Sequence, residues 1–183
     1  MSLIPSAIEL AFAAHEGQTR DEGTPYVEHP LRVWESFKRH RPLGDTPIRR
    51  YEELGCVAIL HDVLEDCDVT YAQLEREFSP FVAENVYLLT KRPLLAGEAK
   101  PERDATYYGA LRQAPADVQL IKLLDRLDNL AGLAASPKPG KVARYVEETE
   151  RVFLPWAEAV SARVHRELTL HLEDLKRGLA ASN

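Results

Sequence analysis

The amino-acid sequence predicts an all-α protein folded as a single-domain helical bundle. Three observations carry that prediction. Apolar residues recur at helical spacing, as in Ile4, Ile8, Leu10, Ala11 and Phe12, and again in Val118, Ile121, Leu124 and Leu127. No segment alternates apolar and polar residues as a half-buried strand would, and no internal repeat is visible. Capping residues followed by proline, Thr46-Pro47 and Ser79-Pro80, punctuate the pattern. A chain of 183 residues is most simply one domain, able to bury a core without disulfides or structural zinc.

The first helix is expected over residues 3 to 16, with Pro5 in its first turn, stopping at Gly17. His15, near its end, reads as a hydrogen-bonded core or cap residue. Residues 18 to 28 contain Gly23, Pro25 and several charges, so they read as a loop that exposes Arg20. His29 stands just before Pro30, a good first helical residue, which sets its imidazole at a loop-to-helix junction. Leu31, Val33, Trp34 and Phe37 give the second helix its apolar stripe. After a turn over Arg41 to Asp45, a third helix is expected to run from Thr46-Pro47 through Leu54 and Val57 into His61 and Asp62.

Thr70 with Gln73 makes a capping-box pattern, and Ser79-Pro80 launches a further helix through Leu89. Residues 91 to 101, with Pro93, Gly97 and Pro101, read as a connector or lid. Tyr107, Tyr108 and Leu111 mark a helix before Pro115. The helix that follows is strongly apolar, with Asp125 in its middle. After Ser136 to Gly140, Val142, Tyr145, Val146 and Phe153 mark another, which Pro155 should break or kink. The tail is helical through Leu168, Leu172 and Leu175; its His165 and His171 do not share a face and are not counted as ligands.

The net charge of −6 argues against a nucleic-acid-binding surface but not against a small anionic substrate. Cys56 and Cys67 form no zinc or redox motif, which favours a reduced, intracellular setting. The chain opens without a basic-then-apolar leader, and no run approaches the roughly 18 apolar residues of a membrane span. The expectation is a soluble cytoplasmic protein without nucleic-acid or membrane partners.

The stretch Leu60-His61-Asp62-Val63-Leu64-Glu65-Asp66 is the chemical focus. At about 3.6 residues per turn, His61 and Glu65 share a helix face, with Asp62 and Asp66 beside them. The apolar run Cys56 to Leu60 marks this helix as interior, where charges need partners. A satisfied salt-bridge network is the simpler reading of a single His-Asp pair. A second acidic pair one turn later inside an apolar run favours a divalent cation, and His29 and Asp125 are available to complete its coordination. Asn129 lies one turn beyond Asp125 on the same face, whereas Lys122 and Asp128 could point the same way or be solvated.

Four segments, Ala14 to Arg20, Gly23 to Pro30, Leu60 to Asp66 and Lys122 to Asn129, resemble in order and spacing the HD-domain metal-dependent phosphohydrolases. Within them, the chain is similar to the hydrolase domain of the RelA/SpoT-type alarmone enzymes and to the stand-alone small alarmone hydrolases. The resemblance spans roughly residues 6 to 160, leaving a C-terminal helical extension within one domain, 1 to 183. It implies an all-helical domain of the HD type holding one Mn²⁺ through His29, His61, Asp62 and Asp125. It further implies that Glu65 and Asp66 orient or deprotonate the attacking water, that Arg20 meets substrate phosphate and that Asn129 meets the nucleoside. The reaction it implies is removal of pyrophosphate from the ribose 3′ position of (p)ppGpp.

The chain departs from the family pattern where Asp21-Glu22 follows Arg20 in place of a common lysine, and where Gly132 stands in place of a frequent threonine. These departures leave open another nucleotide or phosphoester as substrate. A nucleotide-binding regulatory HD domain without turnover is a further alternative, against which Glu65 and Asp66 speak.

Overall fold

The computed structural model describes residues 2–134, 136 and 138–181, and within them the chain is an all-α helical bundle. Helix α1 (Ile4–Ala14) is followed by α2 (Glu28–His40), α3 (Ile48–Ile59) and the short α4 (Val63–Asp66). Next come α5 (Tyr71–Glu77), α6 (Pro80–Leu89), α7 (Lys100–Leu111) and α8 (Ala116–Leu133). Helix α9 (Pro139–Glu148), a π-helical segment (Thr149–Phe153), α10 (Leu154–Val160) and α11 (Ala162–Ala181) complete the chain. The loop between α1 and α2 carries one isolated antiparallel bridge, Thr19 with Pro25. Pro137, in the turn expected before α9, lies outside the described residues.

Two helices organise the core. Every residue of α3 from Glu53 to Ile59 is buried, and α8 buries Val118, Ile121, Leu123, Leu124 and Leu130 among others. Each fully buried Leu, Ile or Val is worth about 1.5–3 kcal/mol of apolar transfer, so these runs dictate which helices lie innermost. Helix α2 packs against both α3 and α8, and α11 packs on α8 beside α2. Gly55 permits the close approach of α1 and α2: a Cβ there would stand 2.5 Å from Ile4 Cδ1 and 3.0 Å from Trp34 Cη2. The caps expected at Thr70 and Ser79 form, each hydroxyl accepting from the backbone N–H three residues on, Gln73 and Val82. Gly17, at φ +75°, turns the chain out of α1, in the left-handed region that a Cβ disfavours.

Thr46 does not cap α3, whose N-cap position is Pro47 with no side-chain hydrogen bond, and two further details differ from the sequence expectation. First, α3 does not continue through His61 and Asp62. It ends at Ile59, and Leu60 to Asp62 form a turn before α4. The break has a physical basis: His61 Nδ1–H donates to the Ala58 carbonyl at 2.8 Å, so a side chain takes up a carbonyl that the helix leaves free at its end. On a continuous helix adjacent residues diverge by about 100°. The turn instead brings both side chains to the same point. Second, Pro155 does not end the helix begun at α9. The chain widens into the π segment, where Leu154 N–H bonds to Thr149 O, and α10 continues from it. That wide turn carries Phe153, which with Glu148 just before it faces the cavity described next.

Candidate active site

His29 in the first turn of α2, His61 and Asp62 in the turn before α4, and Asp125 in the middle of α8 converge on one point. His29 Nε2 lies 3.2 Å from Asp125 Oδ1 and 3.5 Å from Asp62 Oδ2. His61 Nε2 lies 3.1 Å from Asp62 Oδ2 and 3.7 Å from Asp125 Oδ1. The rings of His29 and His61 meet edge to face, their centroids 5.2 Å apart. Both histidines and Asp125 are buried, and ligand atoms of these three all lie within 4.8 Å of one another.

The hydrogen bonds fix which nitrogens face the centre. His61 Nδ1 is committed to the Ala58 carbonyl, and His29 Nδ1 to Asp128 Oδ2 at 2.7 Å. Each imidazole therefore carries a proton on Nδ1 and turns Nε2 inward, where it takes either a second proton or a cation. His61 Nε2 is buried without any hydrogen-bond partner. A buried polar atom of this kind is costly unless something occupies the point it faces.

Charge makes the same demand. Burial opposes ionisation of Asp125, but Lys122 above all, with the two histidines, holds its pKa well below the usual carboxylate range. Asp62 is half-buried, and although its desolvation opposes ionisation, His61 holds its pKa low. Burial likewise opposes a charged imidazole, yet Asp62 and Asp125 push the pKa of His61 up to about 10. Ionised carboxylates packed around buried imidazoles call for positive charge, either a proton or a cation that displaces it. Mixed imidazole and carboxylate donors suit Mn²⁺ or Fe²⁺, so these residues fit such an ion.

A ring of polar groups supports them. Tyr26 O–H donates to Asp62 Oδ2 at 2.7 Å and lies 3.2 Å from Asp66 Oδ2. Lys122 Nζ pairs with Asp125 Oδ2 at 2.7 Å, and Asn129 Nδ2 donates to Asp125 Oδ1 at 2.6 Å. Glu65 accepts the backbone N–H of Lys91 at 2.8 Å, which ties α4 to the start of the loop before α7. Burial raises the pKa of both Glu65 and Asp66, with neighbouring carboxylates adding to it.

These groups form one end of a cavity of about 340 Å³. The acidic end holds Asp62, Glu65, Asp66 and Asp125, and Arg20, Lys91, Lys122, Arg126 and Lys141 line the rest of the wall. Most of these cations are already paired. Arg126, between the rings of Tyr145 and Phe153, bonds Glu148 at 2.5 Å, and Lys91 Nζ reaches Tyr108 Oη at 3.1 Å. An acidic pole facing a basic wall is built for a cation and an anionic ligand together.

The structure brings all the sequence-predicted site residues to this cavity or its acidic end. Arg20 differs from expectation in one respect: its side chain is only 11% exposed, not a solvated loop cation. It bonds Glu22, Asp128 Oδ2 at 3.3 Å and Asn129 Oδ1 at 3.2 Å. Gly132 is what admits it, since a Cβ there would stand 2.8 Å from Arg20 Nη2. Asp21 accepts Lys138 Nζ at 2.7 Å and Lys141 Nζ at 2.6 Å, and these lysines lower its pKa to about 2. Asp21, where the resemblance implies a lysine, thus gathers two cations at the start of α9.

Sequence reasoning gave no role to Tyr26, Lys91, Arg126, Lys141 or Glu148. It left Lys122 and Asp128 undecided, although their spacing of three residues from Asp125 was the signal that could have found them. His165 and His171 stay away from the cluster, and His15 is the buried hydrogen-bonded residue expected, its Nδ1 2.9 Å from Gln18 Oε1.

A helical bundle with a buried His/Asp cluster that could hold a metal ion, opening on a mixed-charge cavity, is the arrangement to which sequence comparison gives a family. The family model for the HD domain matches residues 7–161, and the chain belongs to the HD domain family. Among curated proteins it is 37% identical over 169 residues to guanosine-3′,5′-bis(diphosphate) 3′-pyrophosphohydrolase of Vibrio cholerae, covering 91% of this chain and 22% of that protein. It is 36% identical over the same length to the bifunctional (p)ppGpp synthase/hydrolase SpoT of Escherichia coli K12. The chain thus spans about a fifth of the length of these relatives. A solved structure described as a metazoan ortholog of SpoT that hydrolyzes ppGpp superposes with a TM-score of 0.79 at 25% identity. That match covers 98% of this chain and 97% of the other.

Proposed function

We propose that this chain is a Mn²⁺-dependent nucleotide phosphohydrolase that removes pyrophosphate from the ribose 3′ position of ppGpp or pppGpp, giving GDP or GTP. The observation that carries the reading is the buried Nε2 of His61, which makes no hydrogen bond and faces His29, Asp62 and Asp125 at the acidic end of a cavity whose wall also carries Arg20, Lys91, Lys122, Arg126 and Lys141. The names of the relatives supply the substrate: a ppGpp pyrophosphohydrolase in bacteria and a metazoan protein that hydrolyzes ppGpp.

In this reading His29, His61, Asp62 and Asp125 hold the cation. When bound, that ion supplies Lewis acidity, making the attacking water more acidic and offsetting charge on the phosphoryl group. Hydrolysis takes one proton from water and delivers one to the departing ribose 3′-oxygen. Glu65 and Asp66, whose pKa values are raised by burial, are suited to hold and pass those protons. Tyr26 fixes Asp62 and Asp66 relative to each other. Arg20 meets phosphate with its planar fork, and Asn129, held by Asp125, meets the nucleoside. A small nucleotide is the partner, with no nucleic acid and no membrane. Among the described residues no helix is long and apolar enough to cross a membrane. The cytoplasm, where such a nucleotide and free thiols such as Cys56 and Cys67 coexist, is the compartment this reading assigns.

One observation favours a second reading, an HD phosphohydrolase acting on another nucleotide or phosphoester. Asp21 sets an acid at the cavity wall beside Arg20 and occupies Lys138 and Lys141. Incubating Mn²⁺-loaded protein with a nucleotide panel that includes ppGpp and pppGpp, and identifying the products, separates the two. Pyrophosphate with GDP or GTP is the expected result; turnover of a different ester alone would favour the second reading. Nucleotide binding with no turnover of any panel member would leave a regulatory domain.

A further inference from the structure

The two histidines of the cluster are held in different ways. His61 Nδ1 is anchored by a main-chain carbonyl, Ala58, three residues back in its own helix turn. His29 has no such local anchor. Its Nδ1 is held by Asp128 on α8, while its Nε2 faces Asp125 one turn earlier on that helix, so carboxylates three residues apart bracket the ring. Asp128 is itself gripped from outside. Arg32, one turn after His29 on α2, donates Nε to Oδ1 at 2.7 Å and Nη2 to Oδ2 at 3.1 Å, a two-pronged pair. Helix α2 thus presents His29 and Arg32 to Asp125 and Asp128 of α8, and the Arg32 side chain is 44% exposed.

The geometry points to Asp128 and Arg32 as positioning residues that set cation affinity: Asp128 fixes the tautomer and ring orientation of His29, and Arg32 fixes Asp128. This rests on the metal-binding reading of the cluster. A ring whose Nδ1–H is not held rotates or presents the wrong nitrogen, and such supporting partners typically change metal affinity by about 10–100-fold. Arg32 also pairs with Glu28 at 3.4 Å and Asp128 also accepts from Arg20 at 3.3 Å, so the contribution of Arg32 to His29 runs through Asp128, is the smaller, and vanishes when Asp128 is absent. Nothing comparable is open to side-chain change at His61, whose anchor is main chain.

The test is Mn²⁺ titration alone, without nucleotide, followed by calorimetry or by loss of the free-ion electron-spin signal, on wild type, Asp128→Ala, Asp128→Asn, Arg32→Ala and the Arg32→Ala/Asp128→Ala pair. Circular dichroism and melting on each sample report the fold. Asp128→Ala should weaken Mn²⁺ binding by about 10–100-fold in folded protein. Asp128→Asn, which keeps a carbonyl to accept the Nδ1 proton, should regain part of that loss. Arg32→Ala should weaken binding a few-fold, and adding it to Asp128→Ala should change nothing further. A merely structural ion pair would lower the melting temperature and leave the Mn²⁺ dissociation constant of folded protein unchanged. Wild-type affinity in folded Asp128→Ala, or, where that variant does not fold, in both Asp128→Asn and Arg32→Ala, would overturn the inference while leaving the metal site standing. Wild-type protein that binds no Mn²⁺, Fe²⁺ or Zn²⁺ would overturn the metal reading itself and this inference with it.

Discussion

The two ends of the cavity are built by different means. At the acidic end the side chains are short, His29, His61 and Asp125 are buried, and several are fixed by a main-chain group or a neighbour one turn away. Along the basic wall the side chains are long and come from four separate elements: Arg20 from a loop, Lys91 after α6, Arg126 from α8 and Lys141 from α9. Most are paired with an acid before any ligand arrives, Arg20 with Asp128, Arg126 with Glu148 and Lys141 with Asp21. Asp21 and Gly132, the two positions at which the sequence resemblance implies a different residue, line the wall and not the acidic end. In the proposed function the two ends have separate tasks, cation and proton chemistry at the His/Asp cluster and substrate contact along the wall.

The largest effects should come from the centre. His61→Ala and Asp125→Ala should each abolish cation binding and hydrolysis together, because each removes a donor from an open site. Asp125→Ala should also destabilise the fold, since it leaves Lys122 uncompensated, and breaking a buried pair costs about 3–5 kcal/mol. Metal content by elemental analysis and a thermal melt on the same sample read both effects. Either variant with wild-type metal content would undo the contrast between the two ends.

Next are the acids that touch no proposed ligand atom. Glu65→Gln and Asp66→Asn should retain cation, fold and nucleotide affinity while losing about 10²–10⁴-fold in single-turnover rate, the usual contribution of a general acid or base. If these carboxylates merely capped or paired within the bundle, stability would fall and the rate per folded molecule would not. A stable, metal-replete Glu65→Gln protein with undiminished turnover would remove the proton-transfer assignment.

Changes in the wall should be smaller and of a different kind. At saturating cation Arg20→Ala should raise KM or lower kcat/KM with metal content unchanged, because the lost contact is to substrate; its bond to Asp128 makes any loss of cation affinity no larger than that of Arg32→Ala. Unaltered steady-state constants would mean that Arg20 serves only its internal pairs with Asp128 and Asn129. The smallest effect is expected at Gly132, and it should have two signs. Gly132→Ala lies inside α8, where alanine is favoured over glycine by about 1 kcal/mol, so the melting temperature should hold or rise. The added methyl would press on Arg20 Nη2, so KM should rise even as stability does. A fall in stability with unchanged KM would show that the glycine is there for packing alone.

The same contrast explains what could be read from the amino-acid order. The acidic end was legible because its chemistry is local: His61, Asp62, Glu65 and Asp66 adjoin, and Asp125 is conspicuous in an apolar helix. The fold was legible because α3 and α8 are apolar runs long enough to claim the interior. Periodicity could not reveal the break at Leu60 to Asp62, since the side chain of His61 supplies its hydrogen bond. Nor could it anticipate that the helix from Pro139 widens into a π segment instead of breaking at Pro155. The wall was largely illegible: Lys141, Glu148 and Arg126 look like solvated helix charges until the tertiary packing aims them inward. Arg20 was read as exposed because a loop says nothing about the groove, opened by Gly132, into which its side chain folds.

The central claim is that one divalent cation sits between His29, His61, Asp62 and Asp125, and anomalous scattering at the manganese absorption edge from Mn²⁺-soaked crystals tests it most directly. The account predicts a single strong peak at the acidic end of the cavity, about 2.0–2.3 Å from both Nε2 atoms and from an oxygen of each aspartate. A stoichiometric peak held by other residues, or no peak there in crystals saturated with Mn²⁺, would contradict it.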